Sequence, residues 1–166
     1  MRITIREARA DEHDRAGLVT AGAYAEFAPV GDEDWEGYLA RIADVSARAE
    51  RTTILVAVEG DRIVGSATLE LTARVEEPDD PPLHPTEAHI RMLGVDPSAR
   101  GRGVGTMLMQ ACERLALDQG KTVMTLHTTR RMAAARRMYE RLGYARGEDR
   151  VFPDGFVLLS YAKPLG

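Results

Sequence analysis

The chain has 166 residues, 44% of them hydrophobic, and its 22 Lys and Arg against 26 Asp and Glu leave a formal net charge of −4. A chain of this size can bury about two-thirds of its unfolded surface in one core, and a second full domain does not fit, so residues 1–166 are expected to form a single domain. The acidic balance excludes nucleic-acid binding driven by overall charge.

In chain order, Ile3 and Ile5 alternate with polar neighbours as in a strand with one buried face. Asp11 then offers an N-cap to a helix carrying Ala16, Val19, Ala23 and Phe27, which Pro29 and Gly31 stop. A second helix is expected over 32–48, with Trp35, Leu39, Ile42 and Val45 on one face. Asp32, Glu33 and Asp34 fall in its first turn, where the helix dipole favours acids.

Two strands follow at 53–58 and 62–71, joined by the tight turn Glu59-Gly60-Asp61. Segment 76–86 holds Pro78, Pro81, Pro82 and Pro85 with the acids Glu76, Glu77, Asp79 and Asp80, and is expected to be a loop. Beyond it the pattern predicts a strand at 88–95, a helix at 103–118 with Leu108, Ala111, Cys112 and Leu115 inward, a strand at 123–127 and a helix at 132–142. Strands at 144–151 and 156–162 close the chain around the turn Pro153-Asp154-Gly155. This order predicts a three-layer α/β domain with a mixed sheet.

Cys112 is the only cysteine, so the chain forms no intramolecular disulfide and no Cys-based metal cluster, and a reducing compartment is expected. No apolar segment has the length of a signal peptide or a membrane span; the longest strongly apolar run is 54–58. The expectation is a cytoplasmic protein with neither membrane nor nucleic-acid partners.

The stretch Val95-Asp96-Pro97-Ser98-Ala99-Arg100-Gly101-Arg102-Gly103-Val104-Gly105-Thr106 leaves a strand, turns and opens an amphipathic helix. Such a glycine-rich turn is an anion site, because its backbone approaches a phosphate closely and the first helical N–H groups point outward. Arg100 and Arg102 would reinforce it. The Gly-x-Gly-x-Gly spacing, with no lysine following, fits neither the dinucleotide fingerprint nor the P-loop. A dinucleotide-dependent oxidoreductase is therefore disfavoured.

These residues resemble the GNAT superfamily of acyl-CoA N-acyltransferases, whose signature Arg/Gln-x-x-Gly-x-Gly/Ala follows a strand ending in Val-Asp-Pro; Arg100-x-x-Gly103-x-Gly105 matches it. A second match, Ala135-x-x-x-Tyr139-Glu140-x-Leu142-Gly143-Tyr144, is similar to the family's Ala-x-x-x-Tyr-Glu-x-Leu-Gly-Phe. The resemblance implies a mixed, mostly antiparallel seven-stranded sheet splayed at the acyl-CoA site. It implies acetyl-CoA as cosubstrate, with no metal. The backbone of Gly101, Arg102, Gly103, Val104, Gly105 and Thr106 would cradle the pyrophosphate, and Leu93, Gly94 and Val95 would line the pantetheine.

By the same resemblance Tyr139 is the general acid that protonates departing coenzyme A; as a residue it also belongs to an ordinary apolar stripe with Ala135, Met138 and Leu142. The chain departs from the family at Met132, where Asn is frequent. Arg130, Arg131, Arg136 and Arg137 are either contacts for the 3′-phosphate or a solvated helix face.

An alkyl ammonium, with a pKa of about 10.4, must lose a proton before it attacks a thioester. His89, Glu87 and His127 are the candidate bases, His89 first because it aligns with a catalytic Glu of some family members. A chain of waters is the alternative. Inward-facing Cys112 reads as a small apolar core group, which favours direct attack by the amine in a ternary complex over an acyl-enzyme.

The expected activity is N-acetylation of a primary amine of a small molecule or peptide. The alternatives are a noncatalytic acetyl-CoA-binding module and acetylation of protein N-termini. Tyr24, Phe27, Trp35 and Tyr38, with the acids of 76–80, are the candidate acceptor surface. The family's use of its last strands implies a homodimer.

Overall fold

The computed structural model describes residues 2–27, 33–72, 81–153 and 155–166, and the side chains of 33 and 34 lie outside that description. Pro29, Gly31, Asp32, the acids of 76–80 and Asp154 therefore fall outside the described residues, as do the side chains of Glu33 and Asp34.

The elements are β1 (Ile3–Glu7), α1 (His13–Ala25), α2 (Glu33–Ala43), α3 (Val45–Ala49), β2 (Thr53–Glu59), β3 (Arg62–Glu70), β4 (Glu87–Val95), α4 (Val104–Asp118), β5 (Val123–Thr128), α5 (Ala133–Arg141), β6 (Ala145–Arg146), β7 (Arg150–Val151) and β8 (Val157–Pro164). Short 3-10 turns precede α1 and α4. The sheet runs β1-β2-β3-β4-β5-β8-β6, with β7 also on β8. Among the described residues only β4 and β5 pair in parallel, and the other neighbouring pairs are antiparallel.

Burial explains the three layers. Ile54 to Ala57 on β2 and Ile63 to Glu70 on β3 are buried at every position, as strands covered on both faces must be. Ile54, Val56 and Ile63 pack with Ala16 of α1 and Val45 of α3, while Leu55, Ala57, Val64, Ala67 and Leu69 pack with Leu108, Met109 and Cys112 of α4. Alternate residues thus serve opposite faces, with α1 and α3 on one side and α4 and α5 on the other.

The expected helix over 32–48 is two helices. Asp44 leaves helical geometry and its carboxylate accepts from the Ala47 N–H at 3.2 Å, capping α3. Arg48 then closes the end of α2, donating to the carbonyls of Arg41 at 3.0 Å and Asp44 at 3.2 Å. The expected strand at 144–151 is likewise split into β6 and β7, with Gly147 still donating to the Ser160 carbonyl at 2.8 Å. That interruption raises the strand count from seven to eight.

The expected splay is present. Pairing between β4 and β5 runs from Glu87↔Val123 to Ile90↔Leu126 and stops; beyond it β4 stays with β3 and β5 with β8. A register shift accompanies it, since Thr68 faces Arg91 and Ser66 faces Gly94, placing Met92 and Leu93 opposite Ala67. Met92 has φ 54°, a left-handed conformation that costs an L side chain about 1–2 kcal/mol. The buried Met92 side chain helps to hold this bulge in place.

Candidate active site

The bulged end of β4 leads directly into the glycine-rich turn. Asp96 accepts from both the N–H (2.9 Å) and the hydroxyl (2.6 Å) of Ser98, bonds that hold its carboxyl below the usual range. Gly101 and Gly103 have φ of 76° and 78°, and a Cβ built on either would meet nothing within 4 Å, so that side of the turn is open. The first bond of α4 runs from the Met107 N–H to the Gly103 carbonyl at 3.0 Å. The N–H groups of Val104, Gly105 and Thr106 therefore have no intrahelical acceptor. Among the described residues nothing accepts from those of Gly101, Arg102 or Gly103. Six consecutive donors therefore lie at the positive end of a helix, an arrangement suited to an anion.

The two arginines of the turn are already engaged. Arg100 pairs with Glu26 at the end of α1 at 2.8 Å, and Arg102 pairs with Glu59 of β2, raising its own pKa and lowering that of Glu59. The structure thus couples the turn to α1 and β2 through these side chains. Leu93 and Val95 pack half-buried against the α4 core. Gly94 faces α1, where a Cβ would lie 3.1 Å from Ala23 Cβ and 3.1 Å from Thr20 Cα.

Tyr139 reaches this region from α5. Its ring is buried between Tyr144 and Tyr161, with centroid distances of 6.1 and 6.0 Å. Tyr144 donates to Glu113 at 2.8 Å and Tyr161 to Glu140 at 3.3 Å. Among the described residues the Tyr139 hydroxyl has no hydrogen-bond partner. Burial, and secondarily Tyr161, push its pKa up, so the hydroxyl stays protonated across the physiological range. Burial likewise raises the pKa of Tyr24 on α1.

The candidate bases lie together on the face of the sheet opposite α4. His89 is buried, at 2% exposure, and His127 is half-buried, with ring centroids 5.0 Å apart. Glu87 and His89 are joined through Thr125, whose hydroxyl donates to Glu87 Oε2 and lies 2.7 Å from His89 Nδ1. On the same face Glu70, fully buried, pairs with Arg91 at 3.2 Å, and Arg48 donates to Thr68 at 3.0 Å. Burial lowers the Arg48 pKa to about 10.

Thr125, Glu70 and Arg48 share this face with the candidate bases, and motif reading does not find them. The one signal available for Thr125 is its place two residues before His127, on the same strand face.

Arg130, Arg131 and Arg137 are exposed, and Arg131 donates to the Phe27 carbonyl at 3.2 Å. Arg136 is half-buried against the Tyr161 hydroxyl at 3.4 Å. At the family's Asn position the Met132 sulfur accepts from the buried Thr128 hydroxyl at 3.3 Å. Cys112 is fully buried, and burial pushes its thiol up to about 12, unsuited to nucleophilic work. Among the described residues no group of three or more His, Cys, Asp or Glu is placed to hold a metal, and no helix is long and apolar enough to cross a membrane.

The splayed β4/β5 pair runs into the N-terminus of α4, and comparison with known proteins shows which family has this arrangement. The model of the acetyltransferase (GNAT) family matches residues 19–144. The mycothiol acetyltransferase of Sanguibacter keddieii is 32% identical over 145 residues, covering 87% of this chain and 44% of that protein. An acetyltransferase of the GNAT family from Desulfovibrio desulfuricans superimposes with a TM-score of 0.73 at 16% identity, over 99% of this chain and 100% of that one. The yncA structure from Salmonella typhimurium, which holds acetyl-CoA, gives 0.67 at 20% identity, over 99% of this chain and 94% of that one.

The chain belongs to the acetyltransferase (GNAT) family. It spans less than half the length of the mycothiol acetyltransferases it matches. Membership supports acetyl transfer as the class of reaction.

Proposed function

We propose that the chain transfers an acetyl group from acetyl-CoA to a primary amine by direct attack in a ternary complex. The observation that carries this reading is the opening of β4 away from β5 after Ile90, which leads through Leu93, Gly94 and Val95 into six unpaired N–H groups. The residues present fit acetyl-CoA: the cradle of 101–106 matches a diphosphate in charge and donor number, and its open side leaves room for one. Acetyl-CoA supplies the acetyl group as an activated thioester.

In this reading the N–H groups of 101–106 bind the pyrophosphate, and the main chain of Leu93, Gly94 and Val95 orients the pantetheine arm. Arg100 and Arg102 serve the cradle by shaping it, held by Glu26 and Glu59. Tyr139 holds a proton on its hydroxyl and offers it to the departing sulfur. Because its pKa is raised well above a thiol's ordinary value of about 8.5, it acts first as a hydrogen-bond donor, complete transfer being uphill. That hydroxyl's lack of a partner favours a working enzyme over a noncatalytic acetyl-CoA module. His89, with Glu87 and His127, receives the proton that the amine loses.

The acceptor faces α1 and α2, where Tyr24, Trp35 and Tyr38 lie, the last two with rings 5.3 Å apart. A cytoplasmic location belongs to the same reading. So does a homodimer formed through the last strands, where Val151 and Phe156 are exposed. Size-exclusion chromatography with light scattering reads that state.

The test is acetyl-CoA-dependent release of free thiol with a panel of amines, including polyamines, aminoglycosides, peptides and mycothiol-type acceptors, with acetylated product identified by mass. Turnover with at least one amine is expected. Acetyl-CoA binding without turnover on any of them would instead favour the noncatalytic module.

A further inference from the structure

The hydrogen-bond chain Glu87, Thr125, His89 determines which imidazole nitrogen carries a proton. Parallel pairing places His89 opposite Thr125 and Glu87 opposite Val123, so the three polar side chains share one face of the sheet. Thr125 Oγ1 donates to Glu87 Oε2 and lies 2.7 Å from His89 Nδ1. A hydroxyl owns one hydrogen, and an ionised carboxylate can only accept. With its hydrogen committed to Glu87, Thr125 offers His89 only lone pairs, so Nδ1 must donate. A neutral imidazole protonated at Nδ1 carries its lone pair on Nε2.

We infer that Thr125 and Glu87 are positioning residues: they fix His89 in the Nδ1–H tautomer and so present Nε2 as the atom that receives the amine proton. This rests on the acetyl-transfer reading above. Two further features restrict the ring. His127 lies against it at 5.0 Å with an interplanar angle of 57°. Glu70, directly opposite His89 on β3, is held by Arg91 at 3.2 Å. Once Nε2 has taken the proton, Nδ1–H continues to donate to Thr125, and the Glu87 charge reaches the imidazolium through the hydroxyl dipole. No proton has to travel along the chain.

The test is the tautomer of His89 in the full chain, read from the ring nitrogen shifts of protein labelled with 15N-histidine, at a pH where the ring is neutral. The Nδ1–H form is expected. Thr125→Val, nearly isosteric and well suited to a strand, should lose it, and Thr125→Ser should restore it. The Nε2–H form in the wild type, or a tautomer unchanged by Thr125→Val, would overturn the inference.

A second readout uses any panel amine that is acetylated. Thr125→Val should lower kcat about tenfold or more with KM within about twofold, and Thr125→Ser should recover it. Equal losses in both variants would mark a purely structural role and overturn the inference. If no amine is acetylated, the proposed function fails, while the tautomer still decides whether Thr125 sets the proton on His89.

Discussion

Tyr139 and Tyr161 lie with ring centroids 6.0 Å apart, yet among the described residues only the Tyr161 hydroxyl has partners, donating to Glu140 at 3.3 Å and accepting from Arg136 at 3.4 Å. The pair separates packing from chemistry. Tyr139→Phe removes an oxygen that bonds no described residue, so the melting temperature should hold while kcat falls about a hundredfold. Tyr161→Phe should do the converse, costing about 1 kcal/mol of stability with kcat close to wild type. Thermal melts and turnover measured on both variants check the contrast.

Glu12 gives the acid limb of stability. Its carboxylate accepts from Arg6 at 2.7 and 2.8 Å and from the Arg9 N–H at 2.8 Å, and these bonds, Arg6 first, lower its pKa from the ordinary 4.5 to about 2. A carboxyl depressed by folding stabilises above its unfolded pKa, and that stability drains away as pH falls from 4.5 towards 2. Denaturation across this range should show Glu12→Gln less stable than wild type at neutral pH. The difference should shrink as the acid is protonated.

Gly94 is set by proximity. An added Cβ would lie 3.1 Å from the Thr20 backbone, which cannot swing aside as a side-chain end can. Gly94→Ala should therefore shift α1 or β4 and cost about 1–3 kcal/mol, with KM for acetyl-CoA rising. Urea denaturation and initial rates measure the two effects.

Cys112 should be silent. Fully buried, with its thiol raised to about 12, it should resist alkylation in the native chain and react only on unfolding. Cys112→Ala should keep full kcat, as direct attack requires. A collapse of turnover in a folded Cys112→Ala variant would point to an acyl-enzyme.

Local pattern made much of this molecule legible. The apolar run 54–58 and the turn Glu59-Gly60-Asp61 marked two strands, which the layers bury on both faces, and the glycines at 101 and 103 announced the turn that their positive φ confirms. Tyr139 stood out by its motif. What local pattern did not reveal depends on choices between neighbours or on distant partners. Asp44 can sit in a helix or cap the next one, and only the packing of α3 decides, so 32–48 read as a single helix.

The Thr125 link needs the parallel register of β4 on β5, which no local pattern specifies. In the same way, nothing near Arg100 or Arg102 in the chain says that Glu26 and Glu59 will hold them. The candidate bases were visible as residue types, but their order of exposure, His89 deep and His127 nearer the surface, is a product of the sheet.

The most direct test of the account is titration of acetyl-CoA into 15N-labelled protein while following backbone amide shifts. The account predicts saturable binding with the largest changes at the amides of 101–106 and of Leu93, Gly94 and Val95, and smaller ones on β1 and the distal end of α4. Saturable binding that moves amides elsewhere and leaves 101–106 untouched would contradict it, and so would the absence of binding.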